Sequence, residues 1–440
     1  MAALAAYDFG SFFKAARAEL HMSQEQFGHL VDLGQSRVCK VENGGQRLRD
    51  IATVARLASI LRTPADRLGF TADLDTLEWD DTDRVVSWMQ RRDFIATVTA
   101  IALAAAGGTP VHDRLNALLP GTDMDLPSRL GMADVEQIEA TTAVFRDWRY
   151  QGAVGLSRPA IDAQLRWVIA LGRNAVAASD AVRRRLLVAT SDLAAVAGSI
   201  NYDAERHEEA RRLWLIALSA AREAGKTDLV SSILLRMGGQ ALHIRRSDEA
   251  LSLLRLAYAA AADGDPTTSE LALSEISAYQ ATSHAGGGRV QPHLRAVSKA
   301  EEHFANACEY EIPPWRRHFD DAELTAIRGH SYYVLARKVP AAAAQAEPLL
   351  RDAIGRFHTE HALGRTLNMV SLSGTYLLRG DEIEEGVRVG CAALDAAGTL
   401  NTPRVRSRLH ELDRVTVAYA EEPVVADFRD RLRLALAGTA

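Results

Sequence analysis

The sequence predicts an all-α protein, a small helical head followed by a long body of repeated helix pairs. Three observations carry that expectation. Ala, Leu, Arg and Glu recur at helical spacing throughout the 440 residues, while strand signals are nearly absent. The stretch Ser23–Gly44, SQEQFGHLVDLGQSRVCKVENG, reads as two short helices around a tight turn. Farther on, glycines return with a small residue twelve positions after each of them.

The head opens with a helix over residues 8–21, whose apolar stripe is Phe9, Phe12, Phe13, Ala16 and Leu20. Ser23 is a good N-cap, and Gln26 three residues on completes a capping box. Phe27, Leu30 and Val31 give the next helix one apolar face. Asp32-Leu33-Gly34 interrupts it, and Gly34 supplies the freedom a sharp turn needs. In the following helix Val38 and Val41 point inward, while Gln35, Ser36, Arg37 and Lys40 point outward. Asn43-Gly44-Gly45 stops it. The outward side chains can reach base edges and phosphates, as a helix reading the major groove must. Gln46-Arg47-Leu48-Arg49 is a basic connector, and Arg47 and Arg49 suit phosphates. Ile51, Val54, Leu57, Ala58 and Leu61 mark a fourth helix, and Thr63-Pro64 opens a fifth.

These residues carry a resemblance. Residues 9–70 resemble the helix-turn-helix of the Cro/C1 (XRE) family of bacterial DNA-binding regulators. The matching features are MSQEQF at Met22–Phe27, the turn at Leu33-Gly34, KVENG at Lys40–Gly44 and TPADRLGF at Thr63–Phe70. The resemblance implies that Gln24 meets a phosphate from a helix N-terminus. It also implies that Gln35, Ser36 and Lys40 face bases, that Asn43 touches the backbone, and that Arg17 and Glu42 form an ion pair. The chain departs from the usual pattern at Gly34, where Ser or Thr is common, and at Cys39, usually small and polar.

The formal net charge is −6. Residues 1–70 hold nine Lys/Arg against seven Asp/Glu, a surplus of two, so the remainder carries −8. A weakly basic head on an acidic body fits a protein that meets DNA through one small surface, with two heads acting together. Of the 51 basic residues only five are lysine, a bias that reflects a GC-rich coding genome. Cys39, Cys308 and Cys391 are far apart and read as reduced thiols in a cytoplasm.

Asp73 to Asp83 holds six acidic residues and no base, which makes a solvated linker. Gln90-Arg91-Arg92-Asp93-Phe94-Ile95 and the apolar run to Ala106 resemble a twin-arginine export signal. Such signals are N-terminal, and this run is too short to span a bilayer, so an internal helix is expected with no membrane partner. The division expected is a DNA-binding head over 1–70, an acidic linker with an apolar helix over 71–130, and a repeat body over 131–440.

In the body, Gly198, Gly238, Gly329 and Gly374 are followed twelve residues later by Ala210, Ala250, Ala341 and Gly386. The intervals are 40, 91 and 45 residues, so the long one is expected to hide a further copy. Each glycine lets two helices approach, with the later small residue facing it across the pair. Gly286-Gly287-Gly288 and Ile312-Pro313-Pro314 are expected between repeats, and Leu409 to Leu434 should form capping helices. Residues 180–400 resemble tetratricopeptide (TPR) repeats, lengthened and degenerate, which implies an α-solenoid with a concave groove. Groove positions carried over from that resemblance are Asp192, Ser199, Tyr202, Glu323, His330, Tyr333, Asn368, Ser371 and Thr375. Their amide and hydroxyl groups suit a peptide or small polar ligand.

No phosphate-cradling loop, nucleophile elbow or zinc-protease motif occurs, so no catalytic residue, metal or cofactor is expected and the chain is read as a non-enzyme. His303, His318, His330, His358 and His361 read as solvated surface side chains. The reading is a cytoplasmic, homodimeric transcriptional regulator. Its head binds a double-stranded DNA operator, and its body senses a peptide, small molecule or protein in the groove. The alternative is a TPR-type interaction scaffold tethered to DNA by its head.

Overall fold

The computed structural model describes residues 14, 17–18, 22–31 and 35–43 of the head. From residue 127 it describes the chain except 265, 308–311, 358–360, 401 and 438–440. Arg47, Arg49, the last head helices, the segment Phe94–Ala106, Cys308 and His358 lie outside the described residues, as do the side chains of Leu30, Val31 and Arg37. The chain divides into two compact units, Met1–Pro120 and Gly121–Ala440.

In the first unit, α1 (Gln24–Val31) and α2 (Gln35–Glu42) pack together. The expected capping box forms: Gln26 N–H donates to Ser23 Oγ at 3.2 Å and Ser23 N–H to Gln26 Oε1 at 2.9 Å. Two otherwise orphaned donors at the start of α1 are thereby satisfied. Phe27, Val38 and Val41 are buried between the helices. Their spacing is what fixes which face of α2 is left outward.

The second unit begins with β1 (Arg129–Leu130), which pairs in parallel with β2 (Val176–Ala177). Between them run α3 (Met132–Tyr150) and α4 (Val154–Asn174). Five helix pairs follow. They are α5 (Asp180–Asp203) with α6 (His207–Glu223), α7 (Thr227–His243) with α8 (Ser247–Ala262), and α9 (Pro266–Gly286) with α10 (Val290–Asn306). Next come α11 (Asp321–Ala336) with α12 (Ala343–Arg356), and α13 (Ala362–Arg379) with α14 (Ile383–Leu400). First helices of successive pairs also touch one another, which makes an α-solenoid with an inner and an outer layer. Then α15 (Pro403–Thr416) packs on α13, and α16 (Pro423–Ala437) packs on α14. Among the described residues no helix is long and apolar enough to cross a membrane.

The glycine signal is real, but its geometry differs from expectation. A Cβ on Gly198 would stand 2.5 Å from Trp214 Nε1, and one on Gly238 would stand 2.9 Å from Leu254 Cδ2. Each of these two glycines therefore receives a large side chain from one turn beyond the small residue, although Ala250 does face Gly238 with its carbonyl oxygen 3.6 Å from such a Cβ. Ala341 is exposed and does not face Gly329, whose space is filled by Leu350. The hidden copy in the 91-residue interval is the pair α9/α10. There Ala281 sits five residues before the helix end, as Gly198, Gly238 and Gly374 do in theirs, and His293 stands at the fourth position of the second helix, as Ala210 and Ala250 do. His293 is buried, with its Nδ1 3.1 Å from Ala281 O.

Gly286–Gly288 makes the turn inside a pair, not between pairs, whereas Ile312–Pro314 does separate two pairs. In four of the five pairs the turn demands a left-handed residue after the first helix. Gly288 (φ 70°) and Gly380 (φ 76°) meet that demand cheaply. Glu205 (φ 59°) and Arg245 (φ 62°) occupy the same conformation without being glycine. Both side chains reach α15: Ser407 Oγ donates to Glu205 Oε1, and Arg245 Nη2 to Glu411 Oε1 at 2.9 Å. Thus α15 is more than the end cap expected of it. It crosses to the first pair, where Arg404 Nη1 donates to Asp203 Oδ1 at 2.9 Å.

Candidate functional site

In the head, α2 presents Gln35, Ser36 and Lys40 as exposed side chains above buried Val38 and Val41. Asn43, just past the helix, is exposed, and its Nδ2 is 3.4 Å from Cys39 Sγ. The base of the motif is fixed by charge. Arg17 Nε donates to Glu42 Oε1 at 2.8 Å, and Gln24 Nε2 to Glu42 Oε2 at 2.6 Å. Gln24, expected at a phosphate, here ties α1 to the end of α2. Burial works against the Glu42 carboxylate, but the hydrogen bonds from Arg17 and Gln24 outweigh it and hold the group below the usual carboxylate range. Helix α2 is therefore held from below, with Gln35, Ser36 and Lys40 exposed.

In the body, the first helices of all five pairs line one cavity of about 570 Å³, bounded on one side by α15. That volume lies within the ordinary range of small-ligand sites. Of the nine expected groove residues, Ser199, Tyr202, Glu323, His330, Asn368 and Ser371 line it. Asp192 lines a neighbouring cleft, where it accepts from Arg146 Nη2 at 2.7 and 2.6 Å. Tyr333 and Thr375 are buried in the packing between helices, Tyr333 against Gly374. Cavity and cleft share Tyr150, His318 and His361.

His330, His318 and, away from the cavity, His303 are not the solvated groups expected from sequence. His330 Nδ1 is 3.0 Å from Ser371 Oγ and its Nε2 3.3 Å from Arg408 Nη2, so the ring is neutral and accepts from the guanidinium. Burial, reinforced by the Arg408 charge, pushes its pKa down to about 3. Burial and then Arg404 push His243 to about 2. His318 is tied to Glu275 at 3.1 Å, and His303 Nδ1 lies 2.7 Å from Glu270 Oε2. Glu323 is the opposite case. Its carboxyl has no described partner, and burial, reinforced by Glu275 and Asp320, raises it to about 8. It is a neutral acid at pH 7, able to donate as well as accept.

Sequence reasoning missed Arg236, which lines the cavity from α7. A signal was present: Arg236 breaks the run Ile233, Leu234, Leu235, Met237, where a solvated face would not be expected. It also missed Asp203, a buried carboxylate that receives Arg149 Nε at 2.7 Å as well as Arg404.

Residues 13–68 match a family model described as helix-turn-helix, which covers the described α1 and α2. Neither the curated proteins nor the solved structures contain a match to the chain. The head is thus a helix-turn-helix DNA-binding segment, and the body is an α-solenoid with a cavity lined by both polar and apolar side chains.

Proposed function

We propose that this DNA-binding transcriptional regulator reads its operator as a dimer through Gln35, Ser36, Arg37 and Lys40, with Arg47 and Arg49 on phosphates, and that its solenoid senses a peptide or small molecule in the cavity. The observation that carries the first half is the exposed polar face of α2 over a buried Val38/Val41 seat, inside the matched segment. The head's charge surplus of two gives modest attraction to phosphate, which favours two heads on one operator. Family dimers engage half-sites roughly 34–36 Å apart. The cavity supports the second half, because its size suits a ligand and its wall joins the first helices of all five pairs with α15, whose relative placement a ligand can bias.

The test is an operator titration, after genome-wide mapping of bound DNA has supplied the site. Gln35→Ala should cost about 1–3 kcal/mol on the operator and nothing comparable on random DNA. Equal losses on both would remove Gln35 from base reading, and a monomeric full-length protein in sedimentation would remove the dimer.

A further inference from the structure

Every arginine that lines the cavity holds a carboxylate, with one exception among the described residues. Arg149 and Arg404 share Asp203. Arg245, Arg408 and Arg337 surround Glu411 at 2.9, 3.1 and 3.9 Å. Arg236 has no carboxylate within ion-pair distance among the described residues. The nearby Glu275 is engaged by Arg316 at 2.6 Å and His318 at 3.1 Å. The Arg236 guanidinium makes two long hydrogen bonds, Nη1 to Ser199 Oγ at 3.3 Å and Nη2 to Trp315 O at 3.2 Å. Five N–H donors less two leaves three unspent. Burial is the main influence on this group and opposes its charge, yet a guanidinium stays protonated. A deep cation without a carboxylate is costly; its Nε is buried without a partner, and the side chain lines the cavity.

We propose that Arg236 anchors a ligand in this cavity and that the ligand carries a single carboxylate on an apolar body, as the free C-terminus of a short peptide or a small apolar carboxylic acid does. This deepens, and rests on, the reading of the cavity as the sensing site. One uncompensated guanidinium balances one negative charge, the other lone cation of the lining, Lys338, being exposed to solvent. A dianionic phosphate would meet Glu275 with no second free guanidinium, since the other cavity arginines already hold carboxylates. The planar fork matches a carboxylate through two parallel N–H bonds. Leu235, Leu242, Ile327, Val334, Leu363 and Leu367 supply the apolar walls. Glu323 and Asn368 offer hydrogen-bonding groups to an amide or hydroxyl on the ligand body.

The test uses full-length protein without DNA and titration calorimetry with three probes: hexanoate, the tripeptide Leu-Ala-Leu, and that tripeptide's C-terminal amide. Binding of an acid, with the amide at least tenfold weaker than the free tripeptide, is the expected result. Arg236→Met and Arg236→Gln, each checked for unchanged helicity, should lose the acid binding at least tenfold, while Arg388→Met, exposed on α14 away from the cavity, keeps it. Hexanoate binding alone assigns a small acid, and tripeptide binding alone assigns a peptide terminus. Equal binding of acid and amide, unaltered binding in both Arg236 variants, or no binding of either acid overturns the proposal. If acids bind through Arg236 but operator affinity is the same with and without them, the site stands and the sensing reading falls.

Discussion

Replacing Asp203 with Asn removes one negative charge from a node that two arginines share. The side chain is 0% exposed, against 14% for Arg149 and 19% for Arg404. Asn keeps the shape but presents an amide nitrogen to one guanidinium, leaving two mostly buried cations uncompensated. Breaking a buried pair by removing one partner costs about 3–5 kcal/mol. The partial exposure of both arginines places Asp203→Asn near the lower end, at about 3 kcal/mol. Arg404→Met should cost less, because Asp203 still holds Arg149 and the Met side chain can pack on the Tyr202 ring, over which Arg404 lies at 4.7 Å. In the double variant the losses should fail to add by more than about 0.5 kcal/mol, as they do for directly paired groups. Urea unfolding of full-length protein, followed by helicity, measures these terms. A loss below 0.5 kcal/mol for Asp203→Asn, or strict additivity with Arg404→Met, would refute the claim that this node holds α15 to the first pair.

Three further outcomes are expected. Gly198→Ala should lower body stability by about 1–2 kcal/mol, because overpacking against Trp214 exceeds the gain in helix propensity, whereas Gly398→Ala in α14, with nothing within 4 Å, should stabilise slightly; thermal melts of the pair check the opposite signs. The folded Glu323 carboxyl titrates at about 8, above its unfolded value, so the folded state binds the proton more tightly and stability is lost as pH rises from roughly 4 to 8. Glu323→Gln should therefore flatten the melting temperature across that window and exceed the parent at pH 9. In the head the sign reverses: Glu42 is depressed, so its contribution is present above the usual carboxylate range and lost as pH falls through it. Protection of α1 and α2 amides, corrected for intrinsic exchange, should fall in acid in the parent, and in Glu42→Gln should be low already at pH 7.

What could be read in advance follows from how local the signal is. The capping box at Ser23 and Gln26, the inward Val38 and Val41, and the outward Gln35, Ser36 and Lys40 depend on neighbours within a turn, and all lie as read. The glycine period revealed the pairing of helices, yet not which side chain fills each gap, because Trp214 and Leu254 enter from a second helix whose rotation no spacing rule fixes. Tyr333 and Thr375 share the register of groove positions but are buried in the packing, Tyr333 filling the gap at Gly374. Arg404 and Arg408, just before the expected cap Leu409 to Leu434, drew no reading because their partners lie across the body: Asp203 is 201 positions away from Arg404, and His330 is 78 from Arg408. Electrostatics inside the cavity depends on such distant neighbours, so the neutral histidines and the protonated Glu323 had no local signature.

The two strained turns give the body an unusual thermodynamics. An ordinary repeat stack is a one-dimensional chain with two free ends, and either end melts without consulting the other. Here Glu205 and Arg245 each sit in a left-handed conformation that costs a non-glycine residue about 1–2 kcal/mol, and the side chains that justify it are engaged only while α15 is in place. Detaching α15 thus leaves strain in the first two pairs uncompensated, and loosening those pairs removes the partners that hold α15. The boundary conditions of the stack become periodic in place of open. Melting should then proceed as one transition rather than as fraying from the C-terminus, and amides in α15 should exchange at the rate of those in α5 despite lying near the chain's last residues.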